Sequence, residues 1–311
     1  MPEVSVIMAV YNGERFLKEA IDSVLNQSHR DFEFVIVDDG STDRTASILL
    51  HYSQLDSRVK VHRQENRGLG ASLNRAISIA RNNILARMDA DDRMMPLRLE
   101  RQLVFLADNP GVSVICSFSS LIDAQGKKIG ESQNDVDVPA GIRELNPSRF
   151  LEIVHPSVMM VKDDILALCG YDESLTFLED RDLWGRLVTG GKLIKCQREF
   201  LMEYRLHGAS MTMWSMFKPN FTGHSIDTNV VRRLRGEPNL SVEEVKRLMN
   251  SKPLLQKCNE KRKFLALMCY KNATRMYAER DFGRFFFFIG IAVLLRPLSL
   301  VKRALSKAKS R

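Results

Sequence analysis

Cysteine is scarce in this chain of 311 residues, and the few present are poorly placed for cross-linking or for zinc. Cys116, Cys169, Cys196, Cys258 and Cys269 are odd in number, widely spaced and include no CxxC pair. That spacing excludes a disulfide framework and a zinc ribbon and suits a reduced, cytosolic setting. No GxGxxG, and no GxxxxGK followed by Ser or Thr, comes after the first strand-like run. This argues against a dinucleotide-binding Rossmann site and against a P-loop ATPase. The opening stretch MPEVSVIMAVYNG has no basic region leading into a long apolar run and a small-residue cleavage site. It reads as a first strand, not as a signal peptide. Long hydrophobic runs are missing as well. FFFFIGIAVLL (285–295) has 11 residues between Arg284 and Arg296, whereas a spanning helix needs about 20.

What is present can build a sizeable core. The chain is 44% hydrophobic and 27% charged, enough for one large domain or one domain with an appendage. Its net charge of +8 is unevenly placed: residues 271–311 hold ten Lys and Arg against two Asp and Glu, so the first 270 residues are neutral. A basic tail suits an anionic surface, nucleic acid or acidic lipid. No nucleic-acid-binding motif accompanies it, so a nucleic-acid partner is not expected.

The first half alternates strand-like and helix-like segments. Apolar, β-branched runs at 4–10, 32–41, 58–63, 83–89 and 112–117 predict strands. Segments 13–28, 42–54, 68–81 and 96–109 carry apolar residues at helical spacing or helix-start signals. The alternation predicts a mainly parallel sheet with helices on both faces. Beyond residue 118 the order loosens. A Gly-containing hairpin is expected near 118–132, a strand and short helix within 155–173, a helix over 179–192 stopped by Gly190-Gly191, and a strand from 199 into a loop. Residues 213–270 read as mixed and helical.

In an open parallel α/β sheet, ligands bind beyond the C-terminal ends of the strands. Three polar clusters fall there: Ala9, Tyr11 and Asn12; Asp38-Asp39-Gly40-Ser41; and Asp89, Asp91 and Asp92 in MDADD. Taken singly, the first two also fit a turn and an Asx-type turn with a helix cap. The third places three carboxylates within four positions, and their repulsion must be offset by water, by nearby arginines or by a bound cation. Hard oxygen ligands suit Mg²⁺ or Mn²⁺, ions that also take phosphate oxygens.

Seven segments occur in order: VSVIMAVYN, VIVDDGSTDRT, ENRGLGASLNRAI, MDADD, HPSVMM, LEDRDLWGRL and YRLHGAS. Together they closely resemble the family 2 glycosyltransferases of the GT-A fold, over roughly residues 3–210. The resemblance implies an α/β fold with a mainly parallel sheet flanked by helices. It comprises a Rossmann-like nucleotide-binding half and an acceptor half. The expected division is a catalytic domain over 1–212 and a mostly helical extension over 213–311.

On matching residues, the resemblance implies a nucleotide-sugar donor lying across the first two strand ends. Ala9 and Tyr11 would flank the base, with Asn12 beside them. Asp39 would accept from the base ring N–H, with Asp38 nearby, and Arg67 and Gly68 would border the donor. MDADD matches the family's DxD. Asp89 would face the ribose or a metal-bound water, Asp91 would ligate Mg²⁺ or Mn²⁺ between the diphosphate oxygens, and Asp92 is an alternative ligand. Asp180 in LEDRDLW would be the base that deprotonates the acceptor hydroxyl in an inverting displacement, with Glu179 next to it. A cap at the start of the helix is the structural alternative for Asp180 or Asp182. Trp184 is core or lines the acceptor groove. His207 matches a family histidine that can complete the metal or diphosphate site.

The expected activity is transfer from a nucleotide-diphospho-sugar, UDP favoured, to a glycan or lipid-linked acceptor in cell-surface polysaccharide or lipopolysaccharide synthesis. A sugar-1-phosphate nucleotidyltransferase would need a Gly-rich basic loop after strand one, and AVYNGERFLKE offers one glycine. A non-catalytic carbohydrate-binding protein would be supported by loss of Asp91 or Asp180, and both are present. The tail at 282–311 joins a short apolar run to basic residues. It is expected to hold a cytoplasmic enzyme against the inner face of the cell membrane through anionic lipid. The alternative is a final core helix.

Overall fold

The structure is a computed structural model. It describes residues 4–133, 135–139, 153–208, 221–251, 253, single positions between 258 and 276, and 281–295. The chain divides into two units. The first comprises residues 1–122, 130–205 and 222–239, and the second 123–129, 206–221 and 240–311.

The first unit opens with β1 (Val4–Val10), α1 (Leu17–Leu25), β2 (Phe32–Asp38), α2 (Thr45–Leu55), β3 (Val59–Arg63), α3 (Leu69–Ile79) and β4 (Ile84–Asp89). These four strands pair in parallel in the order β3-β2-β1-β4. β2 is buried along its whole length and β1 almost so. Strands covered on both faces need unbroken apolar runs, and VSVIMAV and FEFVIVD come close to that. Alternate residues feed two cores. Val6, Met8, Phe34 and Ile36 pack with α1, while Ile7, Val35 and Val37 pack with α3.

The chain continues through β5 (Arg93–Met94), α4 (Arg98–Ala107), β6 (Val112–Ile122), β7 (Lys128–Ser132), a 3₁₀ turn (His155–Ser157), β8 (Met159–Val161), α5 (Lys162–Leu166), α6 (Glu179–Thr189) and β9 (Leu193–Arg205). The sheet is completed as β4-β8-β6-β9-β5, with β7 beside β6. β8 runs antiparallel to β4 and β6, and β5 antiparallel to β9, so the sheet is mixed. α7 (Phe221–Leu234) adds Ile226 and Val230 to the core under α3 and α6, which carries the first unit beyond residue 212. The second unit includes α8 (Val242–Ser251) and α9 (Phe282–Leu295).

Asp89 ends β4 and Arg93 begins β5, yet three strands lie between these two in the sheet. Four extended residues reach at most about 14 Å, and four strand spacings in a flat sheet are about 19 Å. The sheet must therefore curl. The β6–β9 pairing supplies bend points, with register shifts between Val112 and Val114 and around Phe118. The acidic turn 89–92 spans the mouth of that curl.

Candidate active site

The first two strand ends are laced together. Asn12 adopts a left-handed conformation (φ 51°), which asparagine tolerates. Its Oδ1 accepts from Thr42 N (2.8 Å), its N–H donates to Ser41 Oγ (3.0 Å), and Gly13 N donates to Thr45 Oγ1 (2.9 Å). Asp38 is buried. Its Oδ1 accepts from Ser41 N (3.0 Å), an Asx-type turn, and its Oδ2 lies 3.5 Å from Arg63 Nε. Tyr11 stands on this braced loop with 53% of its surface exposed, a ring open to stacking. Ala9 pairs in register with Asp89, which places the Ala9–Asn12 loop and the aspartate cluster on adjacent strand ends.

Asp39 works as a clasp. Its Oδ1 accepts from Gln64 Nε2 (2.7 Å) and Arg67 N (2.9 Å), and its Oδ2 accepts from Gly68 N (2.9 Å). A carboxylate offers about four acceptor positions, so Oδ2 can still take one more donor. Gly68 is required by its backbone (φ 90°), and a Cβ there would meet nothing within 4 Å. The space before it is open. Arg67 reaches Glu173 at 3.3 Å, and Asn74 holds the same loop through Tyr171 O and Glu173 Oε1.

At the end of β4, ligand atoms of Asp89, Asp91 and Asp92 lie within 4.8 Å of one another. Arginines answer part of their repulsion. Arg87, fully buried inside β4, is hydrogen-bonded to Asp89. Arg205, buried at the end of β9, donates from its backbone to Asp92 Oδ1 (2.7 Å), from Nε to Asp91 O (2.7 Å), and from Nη2 to Glu19 (2.8 Å). Burial still dominates: it pushes Asp89 up to about 6 against the pull of Arg87, and Asp92 well above the usual carboxylate range, with Asp91 and Asp89 adding to the push. Asp92 Oδ2 is buried and has no hydrogen-bond partner. An orphaned carboxylate oxygen within an all-oxygen cluster fits a hard divalent cation such as Mg²⁺ or Mn²⁺. Asp89, Asp91 and Asp92 are the residues that would hold it.

The second acid pair opens α6. Leu178 precedes the helix in the left-handed region (φ 66°), a conformation that costs a leucine roughly 1–3 kcal/mol and recurs at functional sites. It sets Glu179 and Asp180 in the first turn, where the helix dipole favours carboxylates. Asp180 Oδ1 accepts from Arg181 N (2.7 Å) and is partly exposed; Glu179 is buried. Burial pushes both up, Glu179 to about 7 with the Asp180 charge adding to it. The charge of Asp180 also raises Asp89, and that of Asp89 raises Glu179, so the two acid groups share one site. Arg87 pulls down all four of these raised carboxyls. Asp182 instead pairs with Arg186 at 2.7 Å along the helix.

Behind Glu179 lies a buried imidazole. His155 Nε2 is 2.8 Å from the Tyr171 hydroxyl, and its Nδ1 is 4.0 Å from Glu179 Oε1. Burial and then the Arg87 charge hold its pKa well below the usual histidine value, so it is neutral at pH 7. Trp184 has no exposed surface and meets the His155 ring edge-on at 5.9 Å; it is core. His207 follows β9 by two residues, outside the first unit, and is partly exposed. Sequence reasoning missed Arg87, Arg205, His155 and Tyr171 as members of this neighbourhood. The available signal was an arginine in the middle of the apolar strand NILARMD.

A mixed, curled α/β sheet with an acidic cluster facing a second acid pair at a helix start defines the GT-A architecture. The model of "Glycosyl transferase family 2" matches residues 5–164, and the chain belongs to that family. It is 38% identical over 210 residues to an uncharacterised glycosyltransferase of Methanocaldococcus jannaschii, covering 66% of this chain and 71% of that protein. It is 34% identical over 217 residues to the O-antigen biosynthesis glycosyltransferase WbnJ of Escherichia coli, covering 67% and 81%. Among solved structures, S. aureus TarS residues 1–349 in complex with UDP-GlcNAc shares the fold. Its TM-score is 0.61, over 93% of this chain and 90% of that one, at 16% identity.

Proposed function

We propose that this glycosyltransferase is an inverting, metal-dependent enzyme that moves a hexosyl or N-acetylhexosaminyl group from a UDP-sugar to a hydroxyl of a glycan or lipid-linked acceptor. One observation carries the reading: Asp89, Asp91 and Asp92 form a cation-compatible cluster electrostatically coupled to Glu179 and Asp180. One end of such a site suits a diphosphate leaving group, and the other a base. The WbnJ relative and a Bacillus subtilis relative, TuaG, named for teichuronic acid biosynthesis, support a cell-surface polysaccharide acceptor. TarS in complex with UDP-GlcNAc supports a UDP-sugar donor.

Tyr11 stacks on the base, the remaining acceptor position of Asp39 takes its ring N–H, and the open space before Gly68 admits the donor. Asp180 takes the proton from the acceptor hydroxyl as that oxygen attacks the anomeric carbon, and the bond from that carbon to the diphosphate breaks on the opposite face. Partial exposure and a raised pKa suit Asp180 to this work. Glu179, buried and held up to about 7, stays protonated over part of the neutral range and so spares Asp180 a second adjacent charge. A divalent cation held by Asp89, Asp91 and Asp92 would supply charge stabilisation to the departing diphosphate. The test is a panel of nucleotide-sugars with Mn²⁺, read by nucleoside diphosphate release and by thermal shift. Release of UDP from a UDP-sugar in the presence of acceptor supports the proposal. Release unaffected by EDTA, or transfer with retained configuration, overturns it.

A further inference from the structure

The second unit holds a feature that sugar transfer does not use. In α9, FGRFFFFIGIAVLL, Ala292 is the one buried side chain. Asp281 Oδ1 caps its start by accepting from Arg284 N (3.1 Å). At about 100° per residue, positions 282, 283, 286, 287, 290, 293 and 294 fall within an arc of about 140°. All seven are exposed. They are Phe, Gly, Phe, Phe, Gly, Val and Leu, so this arc contains no polar side chain; the other exposed residue of the helix, Arg284, lies about 60° beyond its edge. Phe286 is 67% exposed, Phe287 62% and Leu294 83%. A surface helix normally turns its polar stripe to water, and this one presents aromatic and aliphatic side chains.

We propose that the outward face of α9 is a docking surface for an anionic lipid bilayer, on which the helix lies in the plane of the headgroups. Length excludes crossing: fourteen residues rise about 21 Å, short of a hydrocarbon core of about 30 Å, and no helix among the described residues is long and apolar enough to span a membrane. Charge selects the partner. The sequence continues directly into residues 296–311, which include Arg296, Lys302, Arg303, Lys307, Lys309 and Arg311 and no acid. Apolar insertion beside a polybasic segment is the pairing that acidic lipid surfaces recognise. A protein groove or a second copy would cover the apolar stripe but gives no use to that run of cations. The inference goes beyond the proposed sugar transfer and does not depend on it.

The test uses the full-length protein in vesicle flotation, with phosphatidylcholine alone and with phosphatidylcholine plus phosphatidylglycerol, in low and in high salt. The protein should float with the anionic vesicles in low salt, much less in high salt, and little with phosphatidylcholine alone. The double variant Phe286→Ser/Phe287→Ser changes exposed positions and should keep the wild-type melting temperature. It should lower partitioning about tenfold or more, the effect of withdrawing two aromatic rings from the interface. Its UDP-dependent thermal shift should match that of wild type, which separates this claim from the reading of the active site. Wild-type protein that ignores anionic vesicles in low salt overturns the proposal. So does light scattering that shows a dimer which dissociates in the double variant while vesicle binding is absent.

Discussion

Glu179→Gln should make the metal-free protein more stable at neutral and alkaline pH. An ordinary glutamic acid ionises near 4.5, and Glu179 holds its proton to about 7 because burial and the neighbouring Asp180 disfavour its charge. At about 1.4 kcal/mol per pH unit, forcing the charge costs on the order of 3 kcal/mol. The folded pKa lies above the unfolded one, so the folded state is favoured below 4.5 and that advantage is lost as pH rises to about 7. Glutamine keeps the shape and carries no charge, and so escapes the loss. Denaturant unfolding in EDTA at about pH 5 and about pH 8 reads the difference directly. The variant should gain on wild type by roughly 2–3 kcal/mol between the two pH values, a few degrees in melting temperature. A difference that does not change with pH, or a variant less stable than wild type at about pH 8, would refute the claim that Glu179 is ionised against its surroundings.

Three more outcomes follow from the same cluster. Asp91→Ala should abolish most of the thermal stabilisation given by UDP with Mn²⁺, and a wild-type shift in that variant would remove Asp91 from the cation site. Mn²⁺ should bind more tightly at about pH 7.5 than at about pH 5.5, because Asp89 keeps its proton to about 6 and must release it; calorimetry showing equal affinity would count against Asp89 as a ligand. Arg87→Met should cost about 3–5 kcal/mol by leaving buried acids without their cation, whereas Arg44→Met at an exposed pair should cost under about 1 kcal/mol.

The parallel half of the fold was readable because β1, β2 and β4 are covered on both faces and read as nearly continuous apolar runs, interrupted by Ser5, Glu33 and Arg87. The mixed half was less so. β5 has two residues and is held by pairing with β9, a distant partner that no local pattern announces. β9 begins at Leu193 rather than near 199; the alternating burial of Leu193 to Cys196 is that of a half-covered strand, and the polar Lys195, Gln197 and Arg198 obscured it in the sequence. α1 begins at Leu17 rather than at 13 because Asn12 and Gly13 are committed to the α2 loop. At the site, acids at strand ends were legible and their counter-ions were not. Arg87 and Arg205 are 118 positions apart and meet the same acidic turn only after the sheet curls. Nearby arginines were one of the ways left open for offsetting the aspartates' repulsion, and the structure identifies them as these two guanidinium groups.

The most direct test of the account is single-turnover sugar transfer by Asp180→Asn, set beside UDP binding by the same protein. The side chain keeps its size and its acceptor oxygen for Arg181 N, and it loses the ability to take a proton. Transfer should fall by about 10²–10⁴ while the Mn²⁺-dependent UDP affinity stays near wild type. Transfer within a few-fold of wild type would place the base elsewhere and contradict the central claim.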